Sequence, residues 1–218
     1  MGDFEVINRA EIIRYLGYGR QVPDVDILAL IETCVQEVEA AAEPKSVMRR
    51  FPVVVSEDRV QAAGLTFHSR QLARNLQDCE EVVFMAATLG LGVDRLLQKY
   101  LKLQVSKAVV VQATAAAAME AYCNQCQKEL EVRCAEEGLF VRPRYSPGYG
   151  DLVLSVQESF LQVLQAQKTV GIVLTEGNVM LPEKSVTAIM GLSPVQTGCH
   201  REGCEICGNV GCAYRRDR

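Results

Sequence analysis

Across the first 45 positions the apolar residues keep helical spacing, and two helix starts are marked. Asn8 followed three residues later by Glu11 has the form of a capping box, opening a short helix that ends near Gly17 and Gly19. Pro23-Asp24 opens a second helix. Ile27, Leu28, Ile31, Val35 and Val38 form its apolar face, and Pro44 bars its continuation. The pattern then changes to strands. Val47 to Val55 and Leu65 to His68 read as β, separated by the turn-like Ser56-Glu57-Asp58 and by Ala62-Ala63-Gly64. Ser69 caps a helix through Leu76, and Glu81 to Ala87 predicts a buried strand.

Leu89-Gly90-Leu91-Gly92 joins that strand to a helix over Val93 to Leu101. A strand–GxG–helix junction can cradle phosphate, but the third glycine and any Walker lysine are absent, so it reads as a tight turn. A long helix follows from about Ser106 to Glu137, stopped by Gly138. Its alanine-rich middle, Ala113 to Ala118, permits close approach of backbone or ligand. Further on come a helix over Ser155 to Ala166, a strand over Thr169 to Thr175 and another over Ser185 to Met190. Gly191-Leu192-Ser193-Pro194 then leads out of the body. Helices and strands do not alternate regularly, which favours α+β over a doubly wound sheet. Three parts are expected: a helical segment over 1–45, a main domain over 46–195 and a cysteine-rich tail over 196–218.

Charge removes some functions. A net charge of −4 with a pI near 5.4 lacks the concentrated basic surface that nucleic acid or an anionic membrane requires. The N-terminus carries Asp3, Glu5 and Arg9 where a signal peptide needs an apolar run, and the uncharged run Ala108 to Met119 is too short to span a bilayer. A cytoplasmic protein is expected.

Nine cysteines in a reducing compartment are not expected to be structural disulfides. Cys34, Cys79, Cys123, Cys126 and Cys134 sit in apolar or helical sequence and read as buried packing residues. Cys123 and Cys126 have the C-x-x-C spacing of a redox pair. They fall inside the long helix, away from the helix N-terminus that would activate a thiolate. Cys199, Cys204, Cys207 and Cys212 differ, forming C-x4-C-x2-C-x4-C with glycines between them. That spacing suits four thiolates around one zinc or an iron–sulfur cluster, and His200 could replace one of them around zinc. A reduced, metal-free tail is the alternative.

The densest chemistry lies in Arg142-Pro143-Arg144-Tyr145-Ser146-Pro147-Gly148-Tyr149-Gly150-Asp151. Prolines and glycines fix an unusual path, and two guanidinium groups and two phenols on it suit a small anionic or zwitterionic ligand. Within it, Arg144-Tyr145-Ser146-Pro147-Gly148-Tyr149 resembles the Arg-Pro-Ala-Pro-Gly-Tyr signature of the activation (reactivation) domain of cobalamin-dependent methionine synthase. Leu174-Thr175-Glu176, then Met180, Pro182, Ser185 and Val186, resembles a second block of that domain, in the right order and separation.

The resemblance implies a twisted, largely antiparallel sheet with flanking helices, one of them long and central, and binding of S-adenosylmethionine. Arg144 would pair with the carboxylate of that ligand, Tyr149 would hydrogen-bond it or line its sulfonium side, Ser146 would offer main chain, and Pro147 and Gly148 would shape the ligand-binding loop. Glu120 matches a family glutamate near the amino-acid end. Met190 and Gly191 stand where the family has a Tyr-Phe pair beside the adenosine. Arg142 has no counterpart in the signature and reads as structural or peripheral.

The implied activity is reductive reactivation of cob(II)alamin on a separate methionine synthase in methionine biosynthesis, by docking on its cobalamin module. Methyl transfer from S-adenosylmethionine would trap the transient cob(I)alamin. Electrons would come from a flavodoxin- or ferredoxin-like donor, or through an iron–sulfur cluster in the tail. No side-chain catalyst is required. The alternatives are a non-enzymatic zinc or iron–sulfur assembly module with a degenerate pocket, and an activator of another corrinoid methyltransferase.

Overall fold

Residues 6–19 and 21–196 are described in the computed structural model. In chain order the elements begin with α1 (Arg9–Tyr15), α2 (Val25–Ala41), β1 (Lys45–Val55), β2 (Arg59–Ala62), β3 (Leu65–His68), α3 (Arg70–Asn75), β4 (Glu81–Thr88) and α4 (Leu91–Leu103). The long helix α5 (Val105–Glu136) follows, then β5 (Phe140–Val141), α6 (Gln157–Leu164), α7 (Ala166–Thr169), β6 (Val173–Leu174), β7 (Met180–Leu181) and β8 (Ser185–Ser193). They form two compact units. Of the described residues, one takes those up to Pro44 with Leu89–Gln125; the other takes Lys45–Thr88 and 126–196.

The first unit is helical. Asn8 caps α1 by accepting the Ala10 N–H at 2.9 Å, and Asp24 caps α2 by accepting the Ile27 N–H at 2.8 Å. The Glu11 carboxylate pairs with Arg14 one turn on. α2 buries Ile31, Cys34, Val35 and Val38. The glycines before and in α4 have packing roles: Gly90 has φ +82° at the N-cap, and a Cβ at Gly92 would run into the Ala41 carbonyl. Leu89 and Gly90 alone join β4 to α4. Lys107 donates to Glu37 at 2.8 Å, as does the Tyr100 hydroxyl at 2.9 Å, and the ammonium lies 4.3 Å from the Tyr100 ring centroid. Burial pushes the Glu37 carboxyl up, but these two donors outweigh it and hold it below the usual range.

The second unit is built on a six-stranded sheet, in the order β3-β2-β1-β4-β8-β5, with every paired neighbour antiparallel. β4 is buried along almost its whole length because β1 and β8 flank it and both faces are covered. On one face Val82, Phe84 and Ala86 meet Leu72 of α3 and Leu76 just after it, Phe160 and Leu164 of α6, and Ala166 of α7. Phe84 is the hub: its ring stacks on Phe160 at 4.5 Å and meets Phe51 and Phe67 at 5.1 and 5.9 Å. On the other face the last turns of α5 lie across the strands, with the Cys126 thiol 3.5 Å from Ser46 Oγ and Arg50 joining Glu81 to Glu137.

The α+β fold with a long helix agrees with the sequence reading, and four local expectations are corrected. β2 is a strand that was not expected; Ala62 ends it, and Ala63 and Gly64, both at positive φ, make the turn. The expected helix over 155–166 breaks at Gln165, which is left-handed at φ 52°. The expected strand from Thr169 shrinks to Val173–Leu174, because α7 claims Thr169 and Gly171 turns the chain at φ +75°. Finally β8 runs on through Gly191 to Ser193, held on both sides by β4 and β5.

Candidate functional site

The segment 140–151 begins as an edge strand and ends as a loop. Phe140 faces Ser193 and Val141 faces Leu192, whereas Tyr145 faces Ile189. From Val141 to Tyr145 the chain advances four residues while β8 retreats three, from 192 to 189, so one extra residue is taken up between them. Pro143, with no N–H to give the ladder, sits inside that offset. A bulge of this kind re-aims side chains. Tyr145 turns into the core with Ile189, while Arg144 is half-buried and donates to Gln127 Oε1 on α5 at 2.8 Å.

Beyond Tyr145 the chain closes on itself. The Tyr149 N–H donates to Ser146 O at 3.0 Å, the Gly148 N–H to Leu152 O at 2.8 Å, and the Leu152 N–H to Tyr149 O at 3.0 Å. Gly148 and Gly150 have φ of +86° and +55°, conformations that glycine adopts without strain. A Cβ on Gly150 would collide with Gln71 Oε1 and the Tyr145 hydroxyl. Asp151 accepts from the Ser69 hydroxyl and from the Arg70 N–H at 2.8 Å. The Ser69 hydrogen bond first, then the main-chain donors, hold its carboxyl below the usual range against the opposing effect of burial.

The loop thus presents Tyr149 outward, 51% exposed, its ring edge-on to that of Tyr145 at 5.3 Å and 80°. Ser146 is half-buried and Gly148 exposed. Because the Gly148 N–H already serves Leu152, the main chain there has its carbonyl to offer. Arg144, Ser146, Gly148 and Tyr149 therefore lie on one short, closed path.

The other expected site residues are placed differently. Met190 is fully buried on β8, opposite Val83 of β4. Gly191 lies on the next position, its carbonyl accepting the Arg142 N–H at 2.8 Å, where a Cβ would stand 2.5 Å from Cys79 Sγ and 2.7 Å from Leu76 Cδ2. Arg142 is structural as expected: it is buried and donates to Gln77 O at 3.1 Å.

No protein-family model matches the chain, and no curated protein matches it. Among solved structures, a match is the crystal structure of the MetH reactivation domain bound to AdoHcy, with a TM-score of 0.61 at 15% identity, over 86% of this chain and 77% of that one. The fold is similar to that of the MetH reactivation domain. The antiparallel sheet, the long helix and the element order expected from the two sequence blocks are thereby shown at the level of fold. The second block, Leu174 to Val186, builds the β6–β7 hairpin and the entry to β8. Thr175 closes the turn by accepting the Val179 N–H at 3.1 Å, and the Ser185 hydroxyl donates to Pro182 O at 2.7 Å.

Glu120 belongs to the first unit, half-buried on α5. Burial pushes the Tyr15 phenol of α1 up, and the charge of Glu120 adds to it. Tyr15, Gln127 and Asp151 were not singled out from the sequence. Asp151, after a glycine and three residues beyond a Pro-Gly, carried a signal for a turn or cap that would have found it. A cavity of about 560 Å³ opens beside α6, α7 and β6, lined by Leu161, Gln165, Lys168, Ile172 and Leu174, and none of the expected site residues lines it.

Cys34, Cys79, Cys123, Cys126 and Cys134 form no disulfide and are buried, as expected. Cys199, Cys204, Cys207, Cys212 and His200 lie outside the described residues. Among the described residues no group of three or more His, Cys, Asp or Glu could hold a metal ion, and no helix is long and apolar enough to cross a membrane.

Proposed function

We propose that the chain binds S-adenosylmethionine on the loop from Arg144 to Tyr149 and delivers its methyl group to the corrinoid of a separate protein, a cobalamin-dependent methionine synthase. The observation that carries this reading is the one-residue offset at Pro143, after which Arg144, half-buried, and the exposed Tyr149 follow on one closed loop. It is supported by the two sequence blocks and by a fold similar to a reactivation domain bound to AdoHcy.

The residues fit the ligand's chemistry. A guanidinium can take a carboxylate through two parallel hydrogen bonds, and an exposed phenol ring favours a sulfonium by its π-face. The sulfonium carbon is already activated, so the protein supplies orientation rather than a nucleophile or base. The methyl would pass as a cation equivalent to a cobalt(I) nucleophile on the partner's corrinoid, with S-adenosylhomocysteine as the leaving group. The single electron that makes cobalt(I) from cobalt(II) is supplied by an external flavodoxin- or ferredoxin-like donor. The tail cysteines Cys199, Cys204, Cys207 and Cys212 are proposed, on spacing, as ligands of a zinc ion or an iron–sulfur cluster.

Titration calorimetry with S-adenosylmethionine tests the reading. The wild-type chain is expected to bind, and Arg144→Ala to bind about 10- to 100-fold more weakly, the worth of a charge-assisted hydrogen-bond pair of ~1.5–3 kcal/mol. A folded wild-type chain that does not bind would leave the assembly-module alternative standing. Reactivation of candidate corrinoid proteins in the presence of a one-electron reductant then identifies the partner.

A further inference from the structure

We propose that Asp151 is a positioning residue for the ligand loop: it ties the loop's far end to the start of α3 and so fixes where Tyr149 stands. The inference rests on the ligand reading above and extends it to a residue outside the matched signature. The loop needs such an anchor. It contains two glycines at positive φ, each of which has much conformational freedom to lose, and its outermost ring, that of Tyr149, is half exposed.

Three ties close the loop. At its near end Tyr145 exchanges both main-chain hydrogen bonds with Ile189, at 2.9 and 2.8 Å. In the middle the Tyr145 hydroxyl lies 3.3 Å from both Gln71 Oε1 and Tyr149 O. At the far end the Asp151 carboxylate takes the Ser69 hydroxyl and the Arg70 N–H, with the Gln71 N–H 3.4 Å from each oxygen. Ser69 Oγ also accepts the Leu72 N–H at 2.9 Å, so the anchor is itself fastened to the helix. Gln71 belongs to both the middle and the far tie. Losing the carboxylate therefore loosens the contact under Tyr149 as well as the end of the loop. The lowered carboxyl keeps Asp151 ionised through the neutral range, which suits an acceptor facing only donors.

The test uses the full chain with Asp151→Ala and the conservative Asp151→Asn, which keeps one acceptor oxygen and carries the test if the alanine variant does not fold. Native-state hydrogen exchange is followed at the Gly148 and Tyr149 amides and, as an internal reference, at Phe84 and Ile189 in the sheet. S-adenosylmethionine affinity is measured at a temperature where each variant is folded. Asp151→Ala is expected to speed exchange at the two loop amides about 10-fold with the sheet amides unchanged, and to weaken binding about 10-fold, with Asp151→Asn between it and wild type. Unchanged loop exchange, or loop and sheet amides accelerating together, overturns the proposal. If wild type itself does not bind, the ligand reading has failed separately, and the exchange pattern still decides whether Asp151 anchors the loop.

Discussion

Replacing Gly191 by alanine puts one methyl group into a place where three side chains already meet. An ideal Cβ there stands 2.5 Å from Cys79 Sγ, 2.7 Å from Leu76 Cδ2 and 3.0 Å from Arg142 Cγ, against ordinary contacts of about 3.5–4.0 Å. None of the three can retreat freely. Leu76 is fully buried, Cys79 is buried, and Arg142 is held by Gln77 O and Ser193 Oγ. Overpacking of this kind costs about 1–3 kcal/mol, while removing a glycine from the unfolded chain returns about 0.4–1 kcal/mol. The net loss should be about 1–2 kcal/mol, which for a chain of this size lowers Tm by roughly 2–8 °C.

Thermal unfolding followed by far-ultraviolet circular dichroism measures that loss. Cys79→Ala in the same background removes the nearest atom, so the double variant should recover part of it, with a coupling of about 0.5 kcal/mol or more. A Gly191→Ala protein as stable as wild type would refute the packing argument. Calorimetry on the same variant separates two roles for this position: packing alone leaves S-adenosylmethionine affinity unchanged in the folded protein, whereas a main-chain ligand contact lowers it.

Phe84→Ala empties the hub of the four-phenylalanine cluster and should cost about 3–5 kcal/mol, read as a lowered denaturation midpoint; a loss under about 1 kcal/mol would show that the cluster collapses to fill the gap. Glu37 is held below the usual carboxyl range by Lys107 and Tyr100 against burial, so its contribution is present above the unfolded value near ~4.3 and is lost as pH falls through the lower folded value. Glu37→Gln should therefore flatten the fall in urea midpoint between neutral pH and pH below about 4, and an unchanged profile would count against the network. Burial pushes the Cys34 thiol up to about 11, so Cys34 and the other four buried cysteines should label with maleimide at neutral pH only after denaturation, as mapped by peptide mass spectrometry; fast native labelling of any of them would contradict their burial.

Much of the fold was legible because several boundaries are chemical. Asp24 and Ser69 each accept an N–H inside the helix they precede, and Gly138, at φ +73°, ends the long helix. The strand β4 was plain from its unbroken apolar run. β2 was not, since its four residues alternate only twice and its last alanine adjoins the turn. Gly191 looked like a strand end because glycine lacks strand propensity, yet close packing against Cys79 and Leu76 requires a residue without a Cβ at that point. Propensity ranks residues one at a time. The requirement here came from three neighbours distant in sequence.

The two arginines of the motif show the same limit at the site. Their separation into Arg142 as scaffold and Arg144 as ligand partner came from the resemblance alone, because period-two counting places residues 142 and 144 on the same face of a strand. The structure supplies a physical reason for their difference. Arg142 keeps step with β8, its N–H on the Gly191 carbonyl and its guanidinium on Gln77, whereas the extra residue taken up before Tyr145 releases Arg144 from that alternation toward Gln127. Pro143 between them was the available sign, since a proline inside a strand belongs to an edge or a bulge. If the bulge sets the aim of Arg144, then Pro143→Ala, which restores an N–H the ladder can use, should permit the in-register alternative and lower S-adenosylmethionine affinity while leaving the unfolding free energy within about 1 kcal/mol of wild type. Affinity unchanged in that variant would mean that contacts beyond the strand, rather than its register, direct the guanidinium.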